Sequence, residues 1–269
     1  TFGEAAGAFT GESSGGYRPL MTLAWAVDNA LWGVERPGAW HITSLVILAL
    51  FCFSTGVFIR GFVDYPTALF AAVAFVVLCY PVAVSAARVS WRATMLAGVP
   101  FIWAMIISIR WCRRPSLPML LIVPLLFLVS LLFKETFLAA PPVFAALGNA
   151  GSPRGKRLRN GILLFGVSLV ALAVYGAMRY SAMGLQVNYE GTTAFGLSSL
   201  TGVLLYGGTL FSPWLSMIPA RVLLFALTLP VFFLASEWRH RLLLLSLGFF
   251  PLIPVANLGV RPDLAVAGV

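Results

Sequence analysis

Charge is scarce in this chain. Only 10% of its 269 residues are charged, nine of them acidic, against 60% hydrophobic and a mean hydropathy of +0.93. A soluble domain carries about a quarter charged residues, so a water-exposed globular fold is excluded and a polytopic membrane protein is expected. Histidine occurs twice and cysteine three times. Cys52, Cys79 and Cys112 lie within or at the ends of apolar runs without Cys-x-x-Cys spacing, which supports neither a zinc site nor a disulfide framework, and no metal site is expected. Lysine is nearly absent, because 16 of the 18 basic residues are arginine. The net charge of +9 is concentrated in short loops, so it reads as an orientation signal and not as affinity for nucleic acid.

Long apolar runs are what the sequence has instead. Uncharged stretches bounded by charges or turn residues fall near 42–59, 65–82, 93–110, 117–133, 136–149, 160–178, 220–236 and 242–259. A ninth stretch, 191–220, is uncharged but rich in Gly, Ser and Thr and broken at Ser212-Pro213, so it either crosses or lies on the surface. The expected fold class is an all-α polytopic transmembrane helical bundle of about 8–9 spans. Residues 1–16 read as irregular loop. From Tyr17 the pattern becomes amphipathic, with Pro19 suited to a first turn, Leu20, Leu23, Val27 and Leu31 on one face, and Arg18, Thr22, Asp28 and Asn29 elsewhere. Gly33 and Pro37 stop this helix of about four turns. Placed directly before a span, it is expected to lie in the membrane interface on the extracytoplasmic side. The chain divides into 1–40 (the end of a first extracytoplasmic loop), 41–178 (a transmembrane core) and 179–269 (a further loop and C-terminal spans). No initiator Met or signal peptide is visible, and both ends are expected to continue into further sequence.

Orientation follows from the basic loops. Arg110, Arg113 and Arg114 bound one, and Arg154, Lys156, Arg157 and Arg159 fill another, so both are expected to be cytoplasmic. Parity then places Arg18, Asp28, Arg88, Arg92, Lys134, Glu135, Arg179 and Glu190 together on the opposite face, against the usual avoidance of basic residues there. Arg88 and Arg92 are four apart, which on a helix brings them to one side, and their guanidinium forks suit phosphoryl oxygens. Snorkelling to lipid headgroups accounts for them equally well. Lys134-Glu135 is the only charge between 117 and 147. It is either a solvated hairpin or an ionisable pair lining a cavity and holding a charged ligand. Adjacent residues on one helix point about 100° apart, so Glu135 is expected to face a cation from another segment, either Arg92 or Arg18.

The ordered set Tyr17-Arg18-Pro19-Leu20, Trp32-Gly33 with His41, Tyr80-Pro81, Ser90-x-Arg92-Ala93 and Lys134-Glu135 resembles the C-type glycosyltransferase superfamily. Within it, the set is most similar to the protein O-mannosyltransferase-like branch, which includes enzymes carrying tetratricopeptide repeats after the membrane core. The resemblance spans roughly residues 12 to 260. It implies an inverting hexosyltransferase of the plasma or inner membrane that passes a sugar, such as mannose, from a polyprenyl-phosphate-linked donor to a hydroxyl of a protein or glycan acceptor at the extracytoplasmic face. Arg18, Arg92, Lys134 and Glu135 are then the donor-phosphate and substrate residues. Membrane lipids are further partners, and the resemblance fixes no cofactor, a divalent cation being compatible with it. Two departures stand out. Tyr80-Pro81-Val82-Ala83-Val84-Ser85 replaces a His-Pro-x-x-x-Glu turn, and Thr94 stands where the family often has Asp. The family's catalytic carboxylate lies just after the first span, which here corresponds to sequence upstream of Thr1, and the residues given are expected to be inactive alone. The alternatives from other classes are a secondary transporter and another lipid-handling membrane protein. A transporter is favoured by internal repeats and polar groups near the midplane, whereas here no internal repeat is found and the notable charges lie at one face rather than mid-span.

Overall fold

In a computed structural model the described residues are 7, 9, 17–62, 64–78 and 92–184. The expected spans 220–236 and 242–259, the stretch 191–220, and Tyr80, Pro81, Arg88, Ser90 and Glu190 lie outside them. The described chain is helical throughout and contains no strand. Its elements are α1 (Pro19–Trp32), α2 (Pro37–Ile59), α3 (Tyr65–Leu78), α4 (Ala93–Arg113), α5 (Leu117–Phe133), a 3₁₀ turn (Glu135–Phe137), α6 (Pro141–Gly151), a second 3₁₀ turn (Arg154–Lys156) and α7 (Arg157–Met183). Among the described residues three helices are long and apolar enough to cross a membrane, Gly38–Ile59, Ala93–Arg113 and Arg154–Met183. The chain is therefore a multi-pass membrane protein in its described part.

The helices take different places because their neighbours differ. Of the most apolar stretch of each candidate span, 61% is buried in α4 against 22% in α2 and 28% in α7, so α4 is the centre and the other two face outward. Around α4 pack α5, α2 and α6, while α7 closes against α5 and α6. Phe101 on α4 stacks on Phe137 at 4.2 Å and meets Phe127 and Phe144 at 6.2 and 5.8 Å. Lipid tails are as apolar as these side chains, so such contacts hold helices by packing and by the few polar groups placed between them. Ser130 Oγ donates to the Ala97 carbonyl at 2.7 Å, and Trp103 Nε1 donates to Ser54 Oγ at 3.0 Å. Gly148 allows α6 and α7 to touch through backbone, since a Cβ there would lie 2.7 Å from Asn160 O and Gly161 N.

The segment expected to span as 136–149 departs from a single helix. Pro141 and Pro142 suit a first turn and begin α6 late, and only 11 residues follow, about 16 Å of helix. The crossing is completed by the irregular backbone before it. Lys134 lies level with Thr94 at the start of α4, Phe137 is already level with Phe101, and the Gly148 carbonyl is 3.9 Å from Cys112 Sγ at the end of α4. A continuous apolar composition does not reveal this break. Non-helical backbone at this depth is tolerated where it lies against protein, and Lys134 to Ala139 are half-buried against the bundle.

Candidate functional site

Because α2, α4 and α7 run end to end, the contacts sort the described charges into two groups. Arg18, Asp28, Arg92, Lys134 and Glu135 meet at one end of the bundle. Arg110, Arg113, Arg114 and the basic residues of 154–159 gather at the other, where Arg157 Nε donates to the Ser152 carbonyl at 3.3 Å.

The first group is built on α1. Pro19 fixes its first turn, and Gly33 at φ +70 ends it, with its N–H donating to the Asn29 carbonyl. Val27 and Leu31 are 41% and 65% exposed, while Asp28 is 1% exposed. The C-terminal half of α1 therefore turns Asp28 toward the bundle and Val27 and Leu31 outward, while in its first turn Met21 is buried and Leu20 packs on the core. The entry of the chain is fixed by Tyr17, which packs at 5.9 Å on Tyr175 of α7 and accepts a hydrogen bond from the Tyr175 hydroxyl at its carbonyl, 3.4 Å away. Its exit is fixed at the corner with α2. There Trp40 Nε1 donates to the Gly33 carbonyl at 2.9 Å and Trp32 Nε1 to Thr43 Oγ1 at 3.0 Å.

Two ion pairs hold α1 to the bundle, with opposite polarity. At its N-terminus Arg18 grips Glu135 bidentately, Nε to Oε2 at 2.9 Å and Nη2 to Oε1 at 2.5 Å. Near its C-terminus Asp28 accepts from Nη2 of Arg92, the residue preceding α4. Of the two cations expected to face Glu135, the partner is Arg18. Arg92, expected to point outward, is instead fully buried beneath α1, with its guanidinium carbon 5.8 Å from the Trp40 ring centroid. A buried guanidinium is expensive without a counter-charge, and Asp28 supplies one from a segment 64 residues away. Burial lowers the Arg92 pKa from its ordinary value. Nε and Nη1 of Arg92 have no hydrogen-bond partner among the described residues.

Lys134 remains. It ends α5 in an extended conformation, φ −163 and ψ 134, and donates to Thr94 Oγ1 at 2.8 Å. Its ammonium is held below the usual lysine range, first by burial and then by the nearby Arg18 charge, against a smaller opposing effect of Glu135. With both nearby carboxylates taken by arginines, Lys134 is bonded to a neutral hydroxyl. The four residues singled out by sequence are thus brought to one place, as two ion pairs and one ammonium without a carboxylate bonded to it. Asp28, Thr94, Trp40 and Tyr175 were not singled out as site residues. Asp28 carried a signal, since a lone carboxylate in a nearly charge-free stretch needs a cation if it is buried.

What this arrangement can do chemically is bind an anion at the membrane boundary. Among the described residues no group of three His, Cys, Asp or Glu side chains is placed to hold a metal ion. Compared with protein-family models, curated proteins and solved structures, the chain matches none of them.

Proposed function

We propose that this chain is the membrane core of a glycosyltransferase that takes a sugar from a polyprenyl-phosphate-linked donor. The observation that carries the reading is Lys134, a partly buried ammonium hydrogen-bonded to Thr94 and, among the described residues, not to a carboxylate, beside two arginines held by Glu135 and Asp28. In this reading the bundle has eight or nine spans, α1 lies in the extracytoplasmic interface, and the Lys134 end faces outward. A lipid-linked donor brings its phosphate to that depth. Lys134 holds the phosphate and offsets the negative charge that develops on it as the sugar departs. Arg18 and Glu135 keep Lys134 in position, because their bidentate pair fixes the turn that carries it. Asp28 and Glu135 are both engaged by arginines, so neither is free to deprotonate an acceptor hydroxyl. The resemblance assigns that step to a carboxylate that follows the family's first span.

The test is sugar transfer from a polyprenyl-phosphate donor in proteoliposomes by the full-length protein and its Lys134→Ala variant, with expression and Tm as controls. Turnover should drop at least tenfold in the variant at unchanged Tm. Wild-type turnover in Lys134→Ala would remove the phosphate role and return the stretch to an ordinary turn.

A further inference from the structure

The opposite end of the bundle carries a cleft that the sugar transfer proposed above does not use. A cleft of about 220 Å³ opens there between the turn after α2 and the C-terminal ends of α4 and α6, lined by Gly61, Phe62, Ile109, Arg113, Leu147 and Gly151. That volume is about seven waters' share of liquid, room for a phosphodiester headgroup. Its floor is apolar, with Leu147 1% exposed, and Arg113 is the charged residue that lines it. Further cations adjoin the lining in sequence: Arg60 precedes Gly61, with its guanidinium carbon 5.7 Å from the Tyr65 ring centroid, Arg110 and Arg114 flank the Arg113 turn, and the four basic residues of 154–159 begin three positions after Gly151. Asp64 is the one acidic residue at this end among the described residues.

The orientation signal carried by these charges, and compensation of helix dipoles, leave the cleft beside them unexplained. Three helices, α2, α4 and α6, end here, and each C-terminus offsets about half a positive charge, so most of the basic excess stays uncompensated. A loop charge that only sets topology also needs no cleft. Beside the cleft, Phe62 is 47% exposed and packs edge-on against Phe58 at 5.3 Å, while Phe53, farther along α2, is 62% exposed. That side offers acyl chains an apolar track leading away from the cations. A small soluble anion has no use for such a track, whereas a phospholipid needs both parts.

We propose that this cleft is a specific site for an acidic phospholipid, with the phosphodiester against Arg113 and Arg60 and the acyl chains along Phe62 and the outer side of α2. Basic pockets between spans at a membrane boundary suit such headgroups, and each cation near them strengthens binding about fivefold.

The experiment is calorimetric titration of short-chain phosphatidylglycerol into the purified full-length protein in neutral detergent, alongside short-chain phosphatidylcholine and glycerol 1-phosphate. Wild type should bind phosphatidylglycerol saturably at one per chain, with at least tenfold weaker binding of the other two. The Arg60→Gln/Arg113→Gln variant should lose roughly 25-fold in affinity, about fivefold for each removed cation. The Arg60→Lys/Arg113→Lys variant, which keeps both charges, should stay within about threefold of wild type and guards against a folding defect. Glu35→Gln, an exposed position at the other end, should leave the titration unchanged. The proposal is overturned by non-saturating binding, by phosphatidylcholine or glycerol 1-phosphate matching phosphatidylglycerol, by an Arg60→Gln/Arg113→Gln variant that titrates like wild type, or by loss of the site in Glu35→Gln.

Discussion

Arg18 and Glu135 are 117 residues apart and meet through both nitrogens and both oxygens of a bidentate fork, at 2.9 and 2.5 Å. The pair joins the helix lying across one end of the bundle to the turn between α5 and α6. Its side chains are 27% and 14% exposed, so solvent screens it and a contribution of ~1 kcal/mol is expected. Arg18→Lys keeps the charge and loses the fork. It should lower Tm by a few degrees, and Glu135→Gln should lower it similarly. A double variant no worse than either single one would show that the two residues act as a unit.

The second pair differs because it is buried. Removing one partner of a buried ion pair typically costs ~3–5 kcal/mol, whereas replacing both with apolar residues is often near neutral. Asp28→Ala strands the Arg92 guanidinium beneath α1 and should cut the yield of folded protein severely. Asp28→Ala combined with Arg92→Met should recover most of the thermal stability while leaving transfer defective. A double variant as unstable as Asp28→Ala would mean that Arg92 is held chiefly by something other than Asp28.

The bundle places the Lys134 end and the Arg113 end at opposite ends of the crossing helices, which predicts opposite labelling. On a background without Cys52, Cys79 and Cys112, cysteine introduced at Val34, 74% exposed beside α1, should react with an impermeant reagent from outside intact cells. Cysteine introduced at Gly155 should react only after permeabilisation. Labelling of both positions from one side would break the proposed topology.

The limits of α1 were legible because Pro19 and Gly33 act locally, one through a fixed φ and the other through a positive one. The expectation that Glu135 faces a remote cation was met, although not through the 100° offset of neighbours on one helix, because Lys134 is extended and Glu135 opens a separate 3₁₀ turn. Sequence did not choose between Arg18 and Arg92, because that choice depends on where α1 lies, and α1 is positioned by contacts such as Tyr17 with Tyr175. The burial of Arg92 was hidden for the same reason. An arginine at the start of a span has the same sequence signature whether it snorkels to lipid or folds under a neighbouring helix. The broken crossing at 135–151 was hidden because composition reports polarity and not backbone geometry, although Pro141 and Pro142 marked where α6 begins.

The last prediction concerns pH, and two measurements on Lys134 should move in opposite directions. The folded protein holds the Lys134 ammonium below its ordinary value of 10.5, mainly through burial. Below the folded pKa the charged form carries its full desolvation penalty, and as pH rises through that pKa the native state loses the proton before the unfolded chain does. The unfolded state then binds more protons, so the Lys134 contribution to stability should improve with pH in the window just below 10.5. A bound phosphate reverses the preference, because it favours the ammonium. Donor binding should therefore take up a proton in the same window and weaken as Tm gains. Lys134→Arg, which stays charged throughout, should abolish the alkaline loss of donor affinity. Thr94→Val removes the hydroxyl that accepts from the ammonium, lowers the Lys134 pKa further, and should move the loss to lower pH. Donor affinity and Tm measured from pH 7 to 10.5 decide the matter. A wild-type affinity that stays flat across the window, or one that falls equally in Lys134→Arg, would place the phosphate on a group other than Lys134.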